Sequence, residues 1–284
     1  IFLIISDFAK AICLIFLKFL TKSASLLRDN TSSKIIAITG SCGKTSLKEL
    51  VGKTLNKISS ATYSKKSFNN KFGVPISLFN LKQKDEFGIF EIGMDKKGEV
   101  DYLSKIIKPE VGVITNISYA HAKNFKNIKQ IALAKSEIIK NIKNDGILIL
   151  NADDQFHNFH RKIAKKRKLK VHSFSTMKKN CEVNLNFIKK IGKKYKVSIN
   201  INNYKKYFYI NSRFQSDVRN VLAAICIISI FKDVKQLDKN IFYKHENVNG
   251  RGDISKIKMF KKNIYLVDES YNSNPLSLRS ALEN

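Results

Sequence analysis

A mostly parallel α/β sheet flanked by helices is the fold class that the chain predicts, and three observations carry it. Short β-rich runs at Ile35 to Thr39, Phe87 to Ile92, Val111 to Thr115 and Gly146 to Leu150 are each followed by a helical pattern. The runs IIAIT, VGVIT and ILIL are continuously apolar and not alternating, which suits strands covered by helices on both faces. A glycine-containing turn, TGSCGKTS at Thr39 to Ser46, joins the first strand to a helix that begins near Thr45. At 284 residues, the chain has length for about two domains. With 43% hydrophobic and 26% charged residues it is neither disordered nor fibrous.

The elements follow in order. The apolar opening from Ile1 to Leu20 is interrupted by Asp7, Lys10 and Lys18 and lacks a small-residue cleavage signal, so it predicts a buried strand and helix, not a membrane span or leader. From Val183 to Ile210 the pattern changes to VNLNFI, YKVSINI and KYFYI, broken by Gly192 and by Asn202 and Asn203, as in a small antiparallel meander. A helix from about Asp217 to Phe231 returns to the main layer. Gly250 and Gly252 flank a domain boundary, after which Asn263 to Asp268 reads as a strand and Leu276 to Leu282 as a helix. That last piece is too short for a core and is expected to begin a further domain. The chain starts without Met and stops at Asn284 within a helical pattern, and is expected to be a piece of a longer protein.

The charge sum, 52 Lys+Arg against 23 Asp+Glu, gives +29 and raises the question of nucleic acid or an anionic membrane. Only seven of the 52 are Arg, the residue favoured for bidentate contacts to bases. Lys, Ile and Asn are instead enriched together on every kind of segment, which reads as drift towards AT-rich codons, and no specific nucleic acid partner is expected. Cys13, Cys42, Cys181 and Cys226 are irregularly spaced without a CxxC pair, so neither a zinc site nor a disulfide framework is indicated, and a reduced cytoplasm is the expected compartment.

The sharpest chemical signal is the turn itself. Backbone N–H groups and the positive end of a helix converge on one spot, Lys44 adds a mobile charge for β and γ phosphates, and Thr45 offers a hydroxyl to Mg²⁺. A strict G-x-x-x-x-G-K loop would need Gly at Ile38, so this loop is a contracted variant, Gly40-Ser41-Cys42-Gly43-Lys44-Thr45. Glu91 closes an otherwise apolar strand and, beside a phosphate loop, is well placed to hold Mg²⁺. The run TNISYAH carries Asn116 and His121 into the crevice outside a strand end, where His121 would reach metal or phosphate. His157 and His160 read as a solvated helix face. Lys135, on a helix with the apolar stripe Ile131, Ala134, Ile138 and Ile139, reads by position alone as solvated too.

These pieces together resemble the ATP-dependent Mur ligase family of peptidoglycan synthesis. The resemblance runs over TGSCGKTSLKE, FNNKFGVP (Phe68 to Pro75), EIGMDKKGEVDYLS (Glu91 to Ser104), TNISYAH, ALAKSEI, LNADD (Leu150 to Asp154), NGR (Asn249 to Arg251) and DESYNSNP (Asp268 to Pro275). The phosphate loop is common to all Mur ligases and to folylpolyglutamate synthases. FNNKFGVP, GMDKKGEV and SYNSNP look specific to the branch that adds D-alanyl-D-alanine to UDP-N-acetylmuramoyl-tripeptide.

The resemblance implies ATP and Mg²⁺ as cofactors and a reaction through an acyl phosphate. Gly40 to Ser46 would cradle the ATP phosphates, with Asn69 and Asn70 beside them. Thr45, Glu91 and His121 look like magnesium ligands. Lys135 matches the family lysine that CO₂ carbamylates, which reverses its reading as solvated. Arg251 resembles an ATP-contacting arginine, Asp268 a ribose-binding aspartate, and Tyr271 and Asn272 would lie near the nucleotide. One departure stands out. Where the family shows G-x-H-N-x-x-N near the adenine, this chain has Phe214-Gln215-Ser216-Asp217-Val218-Arg219-Asn220, and only Asn220 matches.

The resemblance also implies a domain plan. Residues 1–33 would be the tail and linker of a UDP-sugar-binding domain, 34–249 the central ATP-binding domain, and 250–284 the start of a truncated Rossmann-like C-terminal domain. A cytoplasmic monomer without a membrane span, serving cell-wall biogenesis, cell shape and division, is the expected setting. The nearest rivals are another Mur-type ligase or a folylpolyglutamate synthase. A small-molecule P-loop kinase would favour the full loop that Ile38 excludes, and a nucleic-acid binder would show steep salt dependence.

Overall fold

The computed structural model describes residues 2–119, 124–202, 204–212, 214–243, 245, 250, 253–259, 262–268, 270, 278 and 282. The chain opens with one long helix, α1 (Phe2–Asp29), and alternates from there: β1 (Lys34–Thr39), α2 (Lys44–Ile58), β2 (Ala61–Tyr63), α3 (Gly73–Phe79), β3 (Phe87–Glu91), α4 (Glu99–Ile107) and β4 (Val111–Ile114). Two consecutive helices follow, α5 (Ile128–Ser136) and α6 (Ile138–Asn141), then β5 (Ile147–Asn151), α7 (His157–Lys166) and β6 (Lys170–Ser175). The meander is β7 (Val183–Ile191), β8 (Lys194–Ile201) and β9 (Tyr204–Ile210), and α8 (Gln215–Ile228) comes back across the sheet.

All nine of these strands form one sheet in the order β2-β3-β1-β4-β5-β6-β7-β8-β9. Pairing is parallel from β2 to β7 and antiparallel from β7 to β9. The antiparallel meander thus extends the main sheet, joined through a short register of Phe174 with Val183 and Ser175 with Asn184. A second sheet, the hairpin β10 (Asp253–Met259) and β11 (Lys262–Asp268), stands apart.

Each central strand is buried on both faces because successive side chains point to opposite sides. On β1, Ile36 and Ile38 join a core with Leu47, Leu50, Val51 and Leu55 of α2 and the apolar residues of α8. Ile35 and Ala37 join the opposite core, built with α3 to α7 and with Ala24 of α1. The continuous apolar runs in the sequence follow directly from this two-sided cover.

Two expectations are corrected. The opening is a single helix and not a strand and helix, and Ile12, Leu14, Ile15, Phe16 and Phe19 on it are exposed, not buried. The helix is anchored further along, where the buried Arg28 donates to Ile107 O at 2.6 Å, Lys108 O at 2.8 Å and Glu110 Oε1 at 2.8 Å. His160 does not face solvent either. It is 1% exposed, and its Nε2 lies 3.1 Å from Ala132 O, because α7 packs its face against α5; burial lowers its pKa to about 4. Among the described residues no helix is long and apolar enough to cross a membrane. The expected helix at 276–282 falls almost wholly outside the described residues.

Candidate active site

The C-terminal ends of β1, β3 and β4 lie side by side at the middle of the sheet, because β1 is hydrogen-bonded to β3 on one side and β4 on the other. The turn after β1 and the start of α2 therefore meet the end of β3 and the loop that follows β4.

The turn is held in a conformation that needs glycine twice. Gly40 has φ 145° and Gly43, which precedes the first turn of α2, has φ 79°. A Cβ on Gly40 would lie 1.9 Å from Thr115 Oγ1, so close approach as well as backbone angle excludes a side chain there. The loop after β4 clamps the turn from above. Thr115 Oγ1 donates to Cys42 O at 2.7 Å, while Asn116 accepts from Ser41 N–H on its backbone oxygen and from Cys42 N–H on Oδ1, both at 2.9 Å. Ser41 Oγ also accepts from Ser118 N–H at 2.9 Å. Asn116 thus occupies the amides of both Ser41 and Cys42. Lys44 folds back over the turn, its Nζ donating to Gly40 O at 3.0 Å.

Beside the turn, β3 delivers Glu91 as a 1% exposed carboxylate. Thr45 Oγ1 donates to its Oε2 and Asn69 Nδ2 to its Oε1, both at 2.7 Å, and Ser67 Oγ lies 3.4 Å from Thr45 Oγ1. A buried carboxylate tolerates its site only when its lone pairs are met by donors, and here the donors are a hydroxyl and an amide. Of the two asparagines, only Asn69 turns towards Glu91. Asn70 accepts instead from Phe72 N–H and Gly73 N–H at the start of α3, at 3.1 and 2.9 Å.

Lys135 is 1% exposed, which overturns its reading as solvated: it is carried inwards with Ile131 and Ala134 of α5, next to the buried Ile138 and Ile139 of α6. Burial pushes its pKa well below the usual lysine value, with Lys44 acting in the same direction and Cys42 and Glu91 opposing. The next turn is tied down by Glu137, whose carboxylate accepts from Gly98 N–H at 2.9 Å and Asp101 N–H at 3.2 Å at the start of α4.

A pocket opens on the other side of α2, lined by Ser46, Leu50, Asp217, Asn220, Phe242 and His245 among others. Asn220 Oδ1 is 3.4 Å from the position of a Cβ on Gly43, so the pocket adjoins the turn. Asp217 Oδ2 is buried with no hydrogen-bond partner among the described residues. Burial raises the Asp217 pKa, with a hydrogen bond to Ser212 acting against it.

The structure thus brings together Gly40, Ser41, Cys42, Gly43, Lys44, Thr45, Ser46, Asn69, Glu91, Lys135 and Asn220. Asp268 ends β11 in the second sheet, its Oδ1 accepting from Ser270 N–H at 2.9 Å. His121, Arg251, Tyr271 and Asn272 lie outside the described residues. Thr115 and Ser67 carry no signal in the sequence, since Ser and Thr are frequent and only the fold brings these two side chains to the turn and to Thr45. No group of three or more His, Cys, Asp or Glu side chains gathers among the described residues.

Residues 38–228, more than half of the chain, match the family model for the Mur ligase middle domain. The chain belongs to the Mur ligase family. Among relatives, a UDP-N-acetylmuramoyl-tripeptide–D-alanyl-D-alanine ligase of Rickettsia prowazekii is 34% identical over 270 residues, covering 93% of this chain and 58% of the relative. The crystal structure of MurF from Acinetobacter baumannii superposes with a TM-score of 0.84 at 27% identity, over 93% of this chain and 56% of that one. The Mur ligase fold is seen again in MurF of Thermotoga maritima in complex with ADP, with a TM-score of 0.83 at 23% identity over 94% of this chain and 60% of that one. The chain therefore spans a little over half the length of the Mur ligases it matches.

Proposed function

We propose that the chain forms the ATP-binding part of an amide ligase that joins D-alanyl-D-alanine to UDP-N-acetylmuramoyl-tripeptide in peptidoglycan precursor synthesis. The observation that carries this reading is the buried Glu91 gripped by Thr45 at the mouth of the glycine turn, with Lys44 over the turn and Lys135 buried behind it. Such a site suits an anion that accumulates negative charge. The names of the relatives supply the substrates. Residues 34–249 are the proposed central domain, a reading supported by the family match. Residues 1–33 and 250–284 are proposed as parts of the flanking domains.

In the first step a peptide carboxylate attacks the γ phosphorus of ATP, releasing ADP and leaving an acyl phosphate. In the second the dipeptide amine attacks the acyl carbon, phosphate departs, and the amine gives up a proton. Two anions must meet in the first step. Lys44 and the N–H groups at the start of α2 offset the charge that develops on the transferred phosphoryl group. The oxygen donors of Thr45, Ser67 and Glu91 suit a hard cation such as Mg²⁺, with His121 and a carbamylated Lys135 as the further proposed ligands. When bound, Mg²⁺ neutralises phosphate charge.

Lys135 is prepared for carbamylation by its burial. Lowering the pKa of an amine favours its neutral form, and a neutral amine attacks CO₂, forming an N–C bond and losing a proton. The product places an oxygen anion where the neutral amine stood. Base binding is assigned to the pocket beside Asn220, where Asp217 in place of the family's asparagine accepts from an exocyclic amino group through its unpartnered Oδ2. Asp268, Arg251, Tyr271 and Asn272 are the proposed contacts from the C-terminal side.

The deciding experiment uses the full-length natural protein with ATP, Mg²⁺, UDP-N-acetylmuramoyl-tripeptide and D-alanyl-D-alanine. The UDP-linked pentapeptide is expected by mass spectrometry, in step with phosphate release. Turnover of ATP with an unrelated acceptor and none with the tripeptide would refute the assignment. Lys135→Ala should abolish turnover and be rescued by added acetate; a folded variant equally inactive with and without acetate would refute carbamylation.

A further inference from the structure

Lys48 lies three residues after Thr45 on α2, on the same face of the helix, and is fully buried. A buried ammonium is tolerated only when its donors are matched. Its three protons have three acceptors: Ser64 O at 2.5 Å, Lys66 O at 2.6 Å and Glu49 Oε1 at 3.0 Å. Both carbonyls belong to the short segment that leaves β2 and leads to Asn69.

That segment is tightly directed. Ser64 N–H donates to Ile89 O at 3.0 Å, and Ser64 Oγ accepts from Glu91 N–H at 3.3 Å, so the start of the segment is fastened to β3. Lys66 then turns through φ 48°, a left-handed conformation unfavourable for a side-chain-bearing residue. The turn brings Ser67 Oγ to 3.4 Å from Thr45 Oγ1 and Asn69 Nδ2 to 2.7 Å from Glu91 Oε1. Helix α2 therefore reaches the Glu91 carboxylate along two routes: directly through Thr45, and through Lys48 by way of the segment carrying Asn69.

We propose that Lys48 is a positioning residue for the metal-binding end of the site, its ammonium holding the 64–66 turn against α2 so that Thr45 and Asn69 grip Glu91 from both sides. The inference rests on the reading of Glu91 as a magnesium ligand. A lysine that only filled space would affect stability when replaced; a positioning lysine also changes how metal is bound.

The test uses the full chain, a non-hydrolysable ATP analogue and Mg²⁺, followed by calorimetry and thermal unfolding. Lys48→Met keeps most of the apolar stem and removes the donors, and Lys48→Gln keeps an amide donor on a shorter stem. In Lys48→Met, binding of the analogue without metal should hold while the Mg²⁺ concentration for half-maximal binding rises about tenfold, as expected when a support behind metal ligands is lost. Lys48→Gln should lie between this variant and the unsubstituted chain. An unshifted Mg²⁺ midpoint in either folded variant overturns the role of Lys48, and so does an equal loss of binding with and without metal. If Lys48→Met does not fold, Lys48→Gln alone decides by the same two criteria. An unsubstituted chain that ignores Mg²⁺ overturns the reading of Glu91, and the role of Lys48 with it; a chain that responds normally, with unshifted variants, overturns Lys48 alone.

Discussion

The turn after β1 and the ribbon β7 to β9 belong to one sheet, yet their residues are constrained in different ways. Around the turn nearly every polar group has an assigned partner: Thr115 and Asn116 hold Cys42, Asn116 holds Ser41, and Thr45 and Asn69 hold Glu91. On the ribbon, the outer half of β7 is exposed on both faces, including Phe187, Ile188 and Ile191. Its contacts are generic, such as Lys194 over the Tyr243 ring and Lys196 over the Tyr207 ring, each at 4.2 Å. The turn is specified atom by atom and the ribbon mainly by strand periodicity, so substitutions should be punished at the first and tolerated at the second.

The largest expected contrast is catalytic. Lys44→Ala in the full-length protein should lower ATP turnover by about 10²–10³-fold, the usual cost of removing a charge-stabilising donor, with an unchanged unfolding midpoint. Phosphate release under saturating substrates measures it, and near-normal turnover would remove Lys44 from the proposed mechanism.

A smaller contrast compares two glycines with positive φ. Gly40→Ala adds a Cβ onto Thr115 Oγ1 and should cost about 3 kcal/mol in denaturant unfolding through overpacking and backbone strain together. Gly192, between β7 and β8, has φ 59° with nothing within 4 Å of an added Cβ. Gly192→Ala should therefore cost only the backbone contribution, about 1 kcal/mol. Equal losses at the two positions would break the comparison, since backbone angle would then explain both.

The same contrast governs what was legible in the sequence. The central strands were readable because IIAIT, VGVIT and ILIL carry the mark of two-sided burial within themselves, and the glycine turn because its chemistry requires adjacent residues. Lys135 and His160 were misread by position alone, because whether a polar residue on a helix faces water depends on where the next helix lies, here α5 against α7. The family resemblance, not periodicity, recovered Lys135. Lys48 and Thr115 were invisible for a related reason: their partners lie 16 to 18 and 73 residues away in the chain. In the first helix apolar content does not mean burial, since Ile12, Ile15 and Phe19 lie on its exposed side.

The strand order has a consequence in time as well as in space. β1 is made before either of its neighbours, β3 and β4, and its place between them exists only once both have been synthesised. The turn at its end is completed by Thr115 and Asn116, so it stays open until those residues have been made, although β1 can already pair with β3. β7 and β8, joined by a two-residue turn, can close locally on the scale of about 1–10 μs. The nascent β1, apolar on both faces, is therefore the stretch most in need of shelter from aggregation until β4 has left the ribosome.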